Sequence, residues 1–175
     1  MTRQPRIYYA ASLASEAERD FNRRVVGMIH DLGYSTWFPQ EDAGLLTEYI
    51  EEDGMTLEEG RQYIFDLNIR EVQACDMMVL CLDGRVPDEG ACIEAGIAWG
   101  MHKRIIALKT DFREGEPGGN NIMIDGIVAE VASSVDQLRD MLNPENTIVD
   151  LTGPDPVVSF RHLTDTSVES PTESV

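Results

Sequence analysis

Residues 77–82, Met-Met-Val-Leu-Cys-Leu, are apolar without interruption. A run of this length is far too short to cross a bilayer and lacks the alternation of a strand with one wet face. It predicts a central strand of a parallel sheet, buried on both sides. Such a sheet requires covering helices and long crossover connections, so strands and helices should alternate along the rest of the chain. The pattern of residues meets that requirement. Ile7 to Ala11 reads as a first short strand, and Ser15-Glu16-Ala17-Glu18 as a capping box. Ala17, Phe21, Val25, Met28 and Leu32 then recur at helical spacing up to Gly33. Tyr34 to Phe38, closed by Pro39, is a second strand, which makes the opening of the chain β-α-β.

Downstream, Thr56 to Glu59 is a second capping box, and its helix is carried by Ile64, Leu67 and Val72. After the central strand and the turn at 83–88, a helix is expected from about Glu89 to His102, with Ala91, Ala95 and Ala98 small enough for close packing on the sheet. Arg104 to Lys109 reads as the fourth strand. A loop containing Gly115 to Gly119 follows, then a short strand near Ile127 to Val131 and a helix from about Ser134 to Leu142. The expected architecture is α/β: a single doubly wound, flavodoxin-like domain with about five parallel strands flanked by helices, over residues 1–150. Residues 151–175 turn to Ser, Thr, Pro and acid, and predict a partly disordered tail.

Charge narrows the function. The 175 residues carry 32 acids against 14 bases, a formal charge of −18, and only Lys103 and Lys109 are lysines. Eight of the acids fall in residues 41–59, which contain no base and read as a solvated excursion after the second strand. With 42% hydrophobic residues the chain can still build a core, so the acidity belongs to a folded surface. It argues against nucleic acid and against an anionic membrane as partners, because both need a basic face. A small, neutral substrate fits better. Abundant acid with little lysine also suits a high-salt interior, although an arginine-rich codon bias would deplete lysine too. Cys75, Cys81 and Cys92 lie in or beside apolar stretches and form no CxxC or Cys/His ligand pattern, so free thiols and no metal are expected. The N-terminal MTRQPRIYYAAS lacks an apolar signal core, which predicts a cytoplasmic protein.

Ligands of doubly wound sheets bind outside the carboxyl ends of the strands. There the predicted topology gathers Tyr8 and Tyr9 from the first strand, Gln40 after the second, Asp83 and Asp88 after the third, Glu94 in the following helix and Asn121 after the fourth. Glu94 stands out because Ala91 to Trp99 is otherwise apolar and rich in alanine. A carboxylate is costly in such surroundings. Several carboxylates and a tyrosine with no histidine or lysine base suit glycosyl chemistry, where one acid attacks the anomeric carbon and another protonates the leaving group. Each has a plainer explanation: Asp88 as a helix N-cap, Tyr8 as core packing, Asp66 as a surface acid.

Four segments in order, IYYAAS at 7–12, FDLNIREVQACD at 65–76, LDGRVPDEGACIEAGIAWGMHKRIIALKTDFR at 82–113 and NNIM at 120–123, resemble the nucleoside 2-deoxyribosyltransferase family. The most specific element is the spacing of Asp88 and Glu94 within PDEGACIEAG. The resemblance implies that Glu94 is the nucleophile, that Tyr8 holds it, and that Asp66 and Asp88 grip the base, one of them giving it a proton. It also implies substrate-binding positions at Gln40, Ser12, Asp83, Gly90, Asn121 and Met123. The last two would serve a neighbouring subunit, hence a homo-oligomer (a dimer or trimer of dimers) with shared active sites. The implied reaction exchanges the base of a 2′-deoxynucleoside for a free nucleobase, as in nucleotide salvage, without metal or organic cofactor.

Elementary chemistry agrees with that assignment. Breaking the N-glycosidic bond builds oxocarbenium character that an adjacent carboxylate stabilises. The helix N-terminus is expected to favour ionised Glu94. A neighbouring acid can have its pKa raised by like-charge repulsion and so serve as proton donor. Two departures from the family pattern matter. Some members use a C-terminal carboxylate in the site, a role the acidic tail here makes doubtful. Related nucleotide N-hydrolases carry serine and arginine near the first strand and a serine at the position of Asn121. This chain has Ser12, Leu13 and Ala14 at the first and Asn121 at the second. That balance favours nucleosides over nucleotides. A hydrolase acting on deoxynucleosides or a nucleoside 5′-monophosphate, and a non-catalytic nucleotide-sensing module, stay open as alternatives.

Overall fold

The computed structural model describes residues 5–113 and 119–143. The strands are β1 (Arg6–Ala10), β2 (Ser35–Trp37), β3 (Met77–Cys81), β4 (Arg104–Leu108) and β5 (Glu130–Ala132). They form one sheet in the order β2-β1-β3-β4-β5, every pair parallel. This is the expected doubly wound, flavodoxin-like order, with its switch point between β1 and β3. The expected tail, 151–175, and most of the Gly115–Gly119 loop lie outside the described residues.

Between β1 and β2 runs α1 (Glu16–Asp31), opened by the predicted box: Ser15 Oγ accepts from the Glu18 N–H (3.2 Å) while Glu18 accepts from the Ser15 N–H (2.7 Å). It closes at Gly33, whose φ of +88° is open to glycine at little cost. The acidic excursion folds into two short helices, α2 (Pro39–Asp42) and α3 (Leu46–Glu51). Thr56 and Glu59 form the second predicted box at the head of α4 (Leu57–Ala74). After β3 comes α5 (Glu89–Gly100), and α7 (Val135–Leu142) ends the described chain.

One segment differs from expectation. Ile122–Ile127 is a short helix, α6, and the last strand begins only at Glu130. The cause is local: Asn121 Oδ1 accepts from the Met123 N–H (2.9 Å), an N-cap that turns an apolar, strand-like run into helix.

The pleat sorts the core into two layers. Ile7, Tyr9, Val79, Ile106 and Leu108 pack against α1 and α7, while Tyr8, Ala10, Met78, Leu80 and Ile105 pack with Trp37 and Val72 against α5. Ala91, Ala95 and Ala98 are buried on the sheet-facing side of α5 and allow it to lie close. This proximity delivers Glu94, on the same helix, to β1. Substituting Ala95→Leu inserts three carbons where none fit. Urea unfolding should show a loss of about 1–3 kcal/mol. An unchanged midpoint would mean that α5 is not closely seated.

Candidate active site

Tyr8 is the third residue of β1, and its side chain, 1% exposed, reaches the α5 layer. Its hydroxyl donates to Glu94 Oε1 at 2.7 Å, across 86 residues of sequence. Glu94 is the sixth residue of α5, one turn past its head, and is partly buried. Burial pushes its carboxyl up to about 7; the Tyr8 hydrogen bond opposes the shift and the charge of Asp88 adds to it. The expectation that the helix N-terminus would favour ionised Glu94 is therefore corrected. The dipole acts mainly within the first turn, and at the second turn desolvation outweighs it. The Tyr8 hydroxyl is itself held far above its ordinary range, by burial first and then by Glu94, so it stays a neutral donor.

Asp88 is the N-cap of α5, its Oδ1 accepting from the Ala91 N–H at 2.9 Å. The capping explanation holds, and the capped carboxylate stands near enough to Glu94 for its charge to raise that carboxyl further. Gly90 makes room for this. A Cβ at position 90 would stand 3.1 Å from Asp88 Oδ1, tighter than ordinary contact.

The remaining candidates lie on other elements of the fold. Gln40 is the second residue of α2, and its Oε1 accepts from Asn22 Nδ2 at 3.3 Å while its Nε2 donates to the Arg19 carbonyl at 3.4 Å. Ser12 offers its carbonyl to the same Asn22 amide (2.9 Å). Asn22 accepts in turn from the Tyr9 hydroxyl at 3.2 Å, so Tyr9 serves the opposite layer from Tyr8. Asp83 accepts from the Thr110 N–H and hydroxyl (both 2.6 Å) and from the Asp111 N–H (2.9 Å), which ties the β3 and β4 loops together. Asp66 stands exposed on α4 and accepts from Gln62 at 2.9 Å. No described hydrogen bond joins it to Glu94. Asn121 and Met123 are exposed at the head of α6, Met123 to 73%.

Sequence reasoning passed over three polar anchors. Asn22 is 1% exposed and occupies the buried stripe of α1 beside Val25, Val26 and Ile29. Trp37, at the end of β2, donates its indole N–H to Asn68 Oδ1 on α4 at 3.4 Å. The signal for Asn22 and Asn68 was an amide at a core-facing helical position, which a count of apolar residues discards. Among the described residues no group of three His, Cys, Asp or Glu side chains is placed to hold a metal ion. No helix among them is long and apolar enough to cross a membrane.

A partly buried carboxylate, its tyrosine donor and a second acid at one sheet edge can attack and protonate a glycosidic bond. A family model described as nucleoside 2-deoxyribosyltransferase matches residues 7–150. No curated protein sequence matches the chain. Among solved structures, a conserved protein from Enterococcus faecalis V583 aligns with a TM-score of 0.67 at 25% identity, over 80% of this chain and 98% of that one. A 2-deoxyribosyltransferase from Bacillus psychrosaccharolyticus aligns at 0.62 and 16% identity, over 77% and 90%. A CMP N-glycosidase from Clostridium botulinum aligns at 0.50 and 17% identity, over 78% and 97%. The two likenesses under 25% identity speak for the fold alone; the matched span, which contains Tyr8, Asp88 and Glu94, assigns the chain to the nucleoside 2-deoxyribosyltransferase family.

Proposed function

We propose that the protein exchanges the base of a 2′-deoxynucleoside for a free purine or pyrimidine through a 2-deoxyribosyl ester on Glu94. The observation that carries this reading is the Tyr8–Glu94 hydrogen bond, which fixes one carboxylate in an apolar wall beside a second acid. A Glu94 oxygen attacks C1′ as the C1′–N bond breaks and its electron pair leaves with the base, which takes a proton from Asp88. An incoming base then attacks C1′ from the opposite side to the ester and returns the proton, so the configuration is retained overall. A 2-deoxy sugar lacks the electron-withdrawing hydroxyl that would destabilise the cation, so two carboxylates suffice. Asp66, exposed on α4, is a secondary candidate for gripping the base. Gln40, Ser12, Asp83 and Gly90 are assigned to the rim of the substrate site.

Hydrolysis of a deoxynucleoside or a nucleoside 5′-monophosphate is the second reading, favoured by the likeness to a CMP N-glycosidase. Incubation with deoxyinosine, with and without adenine, separates the two by chromatography. Deoxyadenosine should form, whereas hypoxanthine release indifferent to adenine would establish hydrolysis. Glu94→Ala should abolish turnover while staying folded; full biological function in that variant would instead favour a sensing module. In the wild type, kcat/KM should fall about tenfold per pH unit below the Glu94 midpoint near 7.

The same shift carries a stability cost whose sign is fixed. The folded state keeps a proton on Glu94 that the unfolded chain releases above about pH 4.3. The penalty therefore grows from about pH 4 to pH 7 and is constant above. Glu94→Gln should raise unfolding stability by of order 2 kcal/mol at pH 8 and change it little near pH 4, as read by urea titration at both values. Equal effects at the two values would mean that Glu94 titrates normally.

We also assign a homo-oligomer with shared sites. α5 is apolar nearly all round, a pattern that in a soluble chain belongs to a covered helix. Its outer face exposes Ile93 and Trp99, α4 exposes Phe65, and α6 exposes Ile122 and Met123. Light scattering should give a multiple of 19.5 kDa. Trp99→Glu should lower that mass and reduce exchange with it; a monomeric wild type would contradict the assignment.

A further inference from the structure

A helix as short as α6 does not hold its shape unaided, because nucleation costs more than one turn of hydrogen bonds returns. Its head nevertheless carries Asn121 and Met123, which the family resemblance gives to a neighbouring subunit's site. The residue before the cap supplies the missing restraint. Asn120 is buried, and its side-chain amide lies between two charged groups. Its Oδ1 accepts from Lys109 Nζ, just past β4, at 2.6 Å. Its Nδ2 donates to Asp125 Oδ1, on α6, at 2.7 Å, and its backbone N–H donates to Asp125 Oδ2 at 3.0 Å. The cation needs the amide oxygen and the carboxylate needs the amide NH2, so the side chain has one orientation only. Gly119 leaves room for this, since a Cβ there would stand 2.5 Å from Asp125 Oδ2.

We propose that Lys109, Asn120 and Asp125 are positioning residues: as a clamp anchored at the end of β4, they set the direction in which α6 offers Asn121 and Met123 to the neighbouring subunit. Ile124 and Ile127 pack on the α5 layer and keep the helix on the domain. Ile122 and Met123 at its head are 70% and 73% exposed, so packing within the chain does little to aim them. The clamp removes that swing through charge-assisted hydrogen bonds rather than through burial. It works without touching substrate. A misplacement of about 1 Å in a group that orients substrate can cost on the order of a hundredfold in rate, so a loose head is expensive.

The inference rests on the proposed exchange and its shared sites for the kinetic consequence, but not for the ordering of α6. Two substitutions loosen the clamp and spare Asn121 and Met123. Asn120→Asp keeps the acceptor for Lys109, loses the donor to Asp125 and sets two carboxylates against each other. Gly119→Ala pushes Asp125 off the amide; if the first variant fails to fold, the second decides alone. Amide hydrogen exchange over residues 120–127, read by mass spectrometry, should quicken about tenfold or more, with β1, β3 and α5 unchanged. At unchanged oligomer mass, kcat for base exchange should fall about tenfold or more. Each variant is then coexpressed with Glu94→Ala and the mixed oligomer purified on two tags. There the intact Glu94 of one protomer meets the intact α6 head of the other, so activity should reappear well above either parent. A variant that merely damaged its own fold would not be rescued in this way. Wild-type hydrogen exchange over 120–127, a wild-type kcat with a loosened head, or mixed oligomers no more active than their parents would overturn the clamp. An inactive wild type whose variants still exchange amide hydrogens faster would instead refute the proposed activity and leave the ordering of α6 by the clamp standing.

Discussion

Everything at the candidate site depends on holding one carboxylate dry while leaving it able to ionise. Burial alone drives the Glu94 carboxyl up, Asp88 drives it further, and the Tyr8 hydrogen bond at 2.7 Å is the opposing force. The midpoint near 7 is the balance of these. A drier pocket without the phenol would leave Glu94 neutral and inert at physiological pH. A wetter one would leave it ionised but strongly solvated, a poorer nucleophile for the proposed reaction. The remaining structure keeps this balance in place. Alanines bring α5 onto the sheet, the β1 pleat turns Tyr8 toward it, and Gly90 gives Asp88 room at the helix head.

The two faces of the sheet divide the work. On the α1/α7 face, polar groups are sealed by one another: Tyr9 with Asn22, Asn22 with Ser12 and Gln40, and Tyr34 with the Leu142 carbonyl at 2.8 Å. These bonds satisfy buried groups and fix the loop after β1. The α5 face holds the uneven arrangement, a raised carboxylate below exposed apolar side chains. Adjacent residues of one strand, Tyr8 and Tyr9, thus have the same chemistry and opposite duties, decided by pleat parity alone.

Most of the fold was legible because its signals are local. The unbroken run at 77–82, the two capping boxes and the alanine spacing of α5 each declare an element within a few residues. The start of the last strand, expected near Ile127, was not, since Ile127, Val128 and Val131 suit a strand until the helix capped by Asn121 runs through Ile127. At the site, Glu94 could be singled out because a charge inside an apolar helix is anomalous in sequence alone. Its bond to Tyr8 required the family resemblance, for nothing local links residues 86 positions apart. Asn22, Trp37 and Asn68 were missed for a related reason: their partners are set by strand register and helix phase, which emerge only after the layers assemble. Asp66 shows the converse. Its segment matches the family, yet its side chain stands exposed beside Gln62.

The charge of −18 can also be weighed against the substrate. Deoxynucleosides and free bases are neutral, so a strongly acidic surface costs them no affinity, whereas a monophosphate would arrive with a charge near −2 beside Glu94 and Asp88. To hold it, the loop after β1 would need an uncommitted cation. Arg19 is turned back to the Leu13 carbonyl at 2.9 Å, and Arg23 is engaged by Asp20 and Glu41, each at 2.9 Å. Recruiting either would break an existing contact before any phosphate bond formed. Asn121, a neutral amide already capping α6, adds no charge either. Neither of these two arginines after β1 is therefore placed for a phosphate without losing a contact, which supports the proposed nucleoside substrate on grounds separate from the sequence motif.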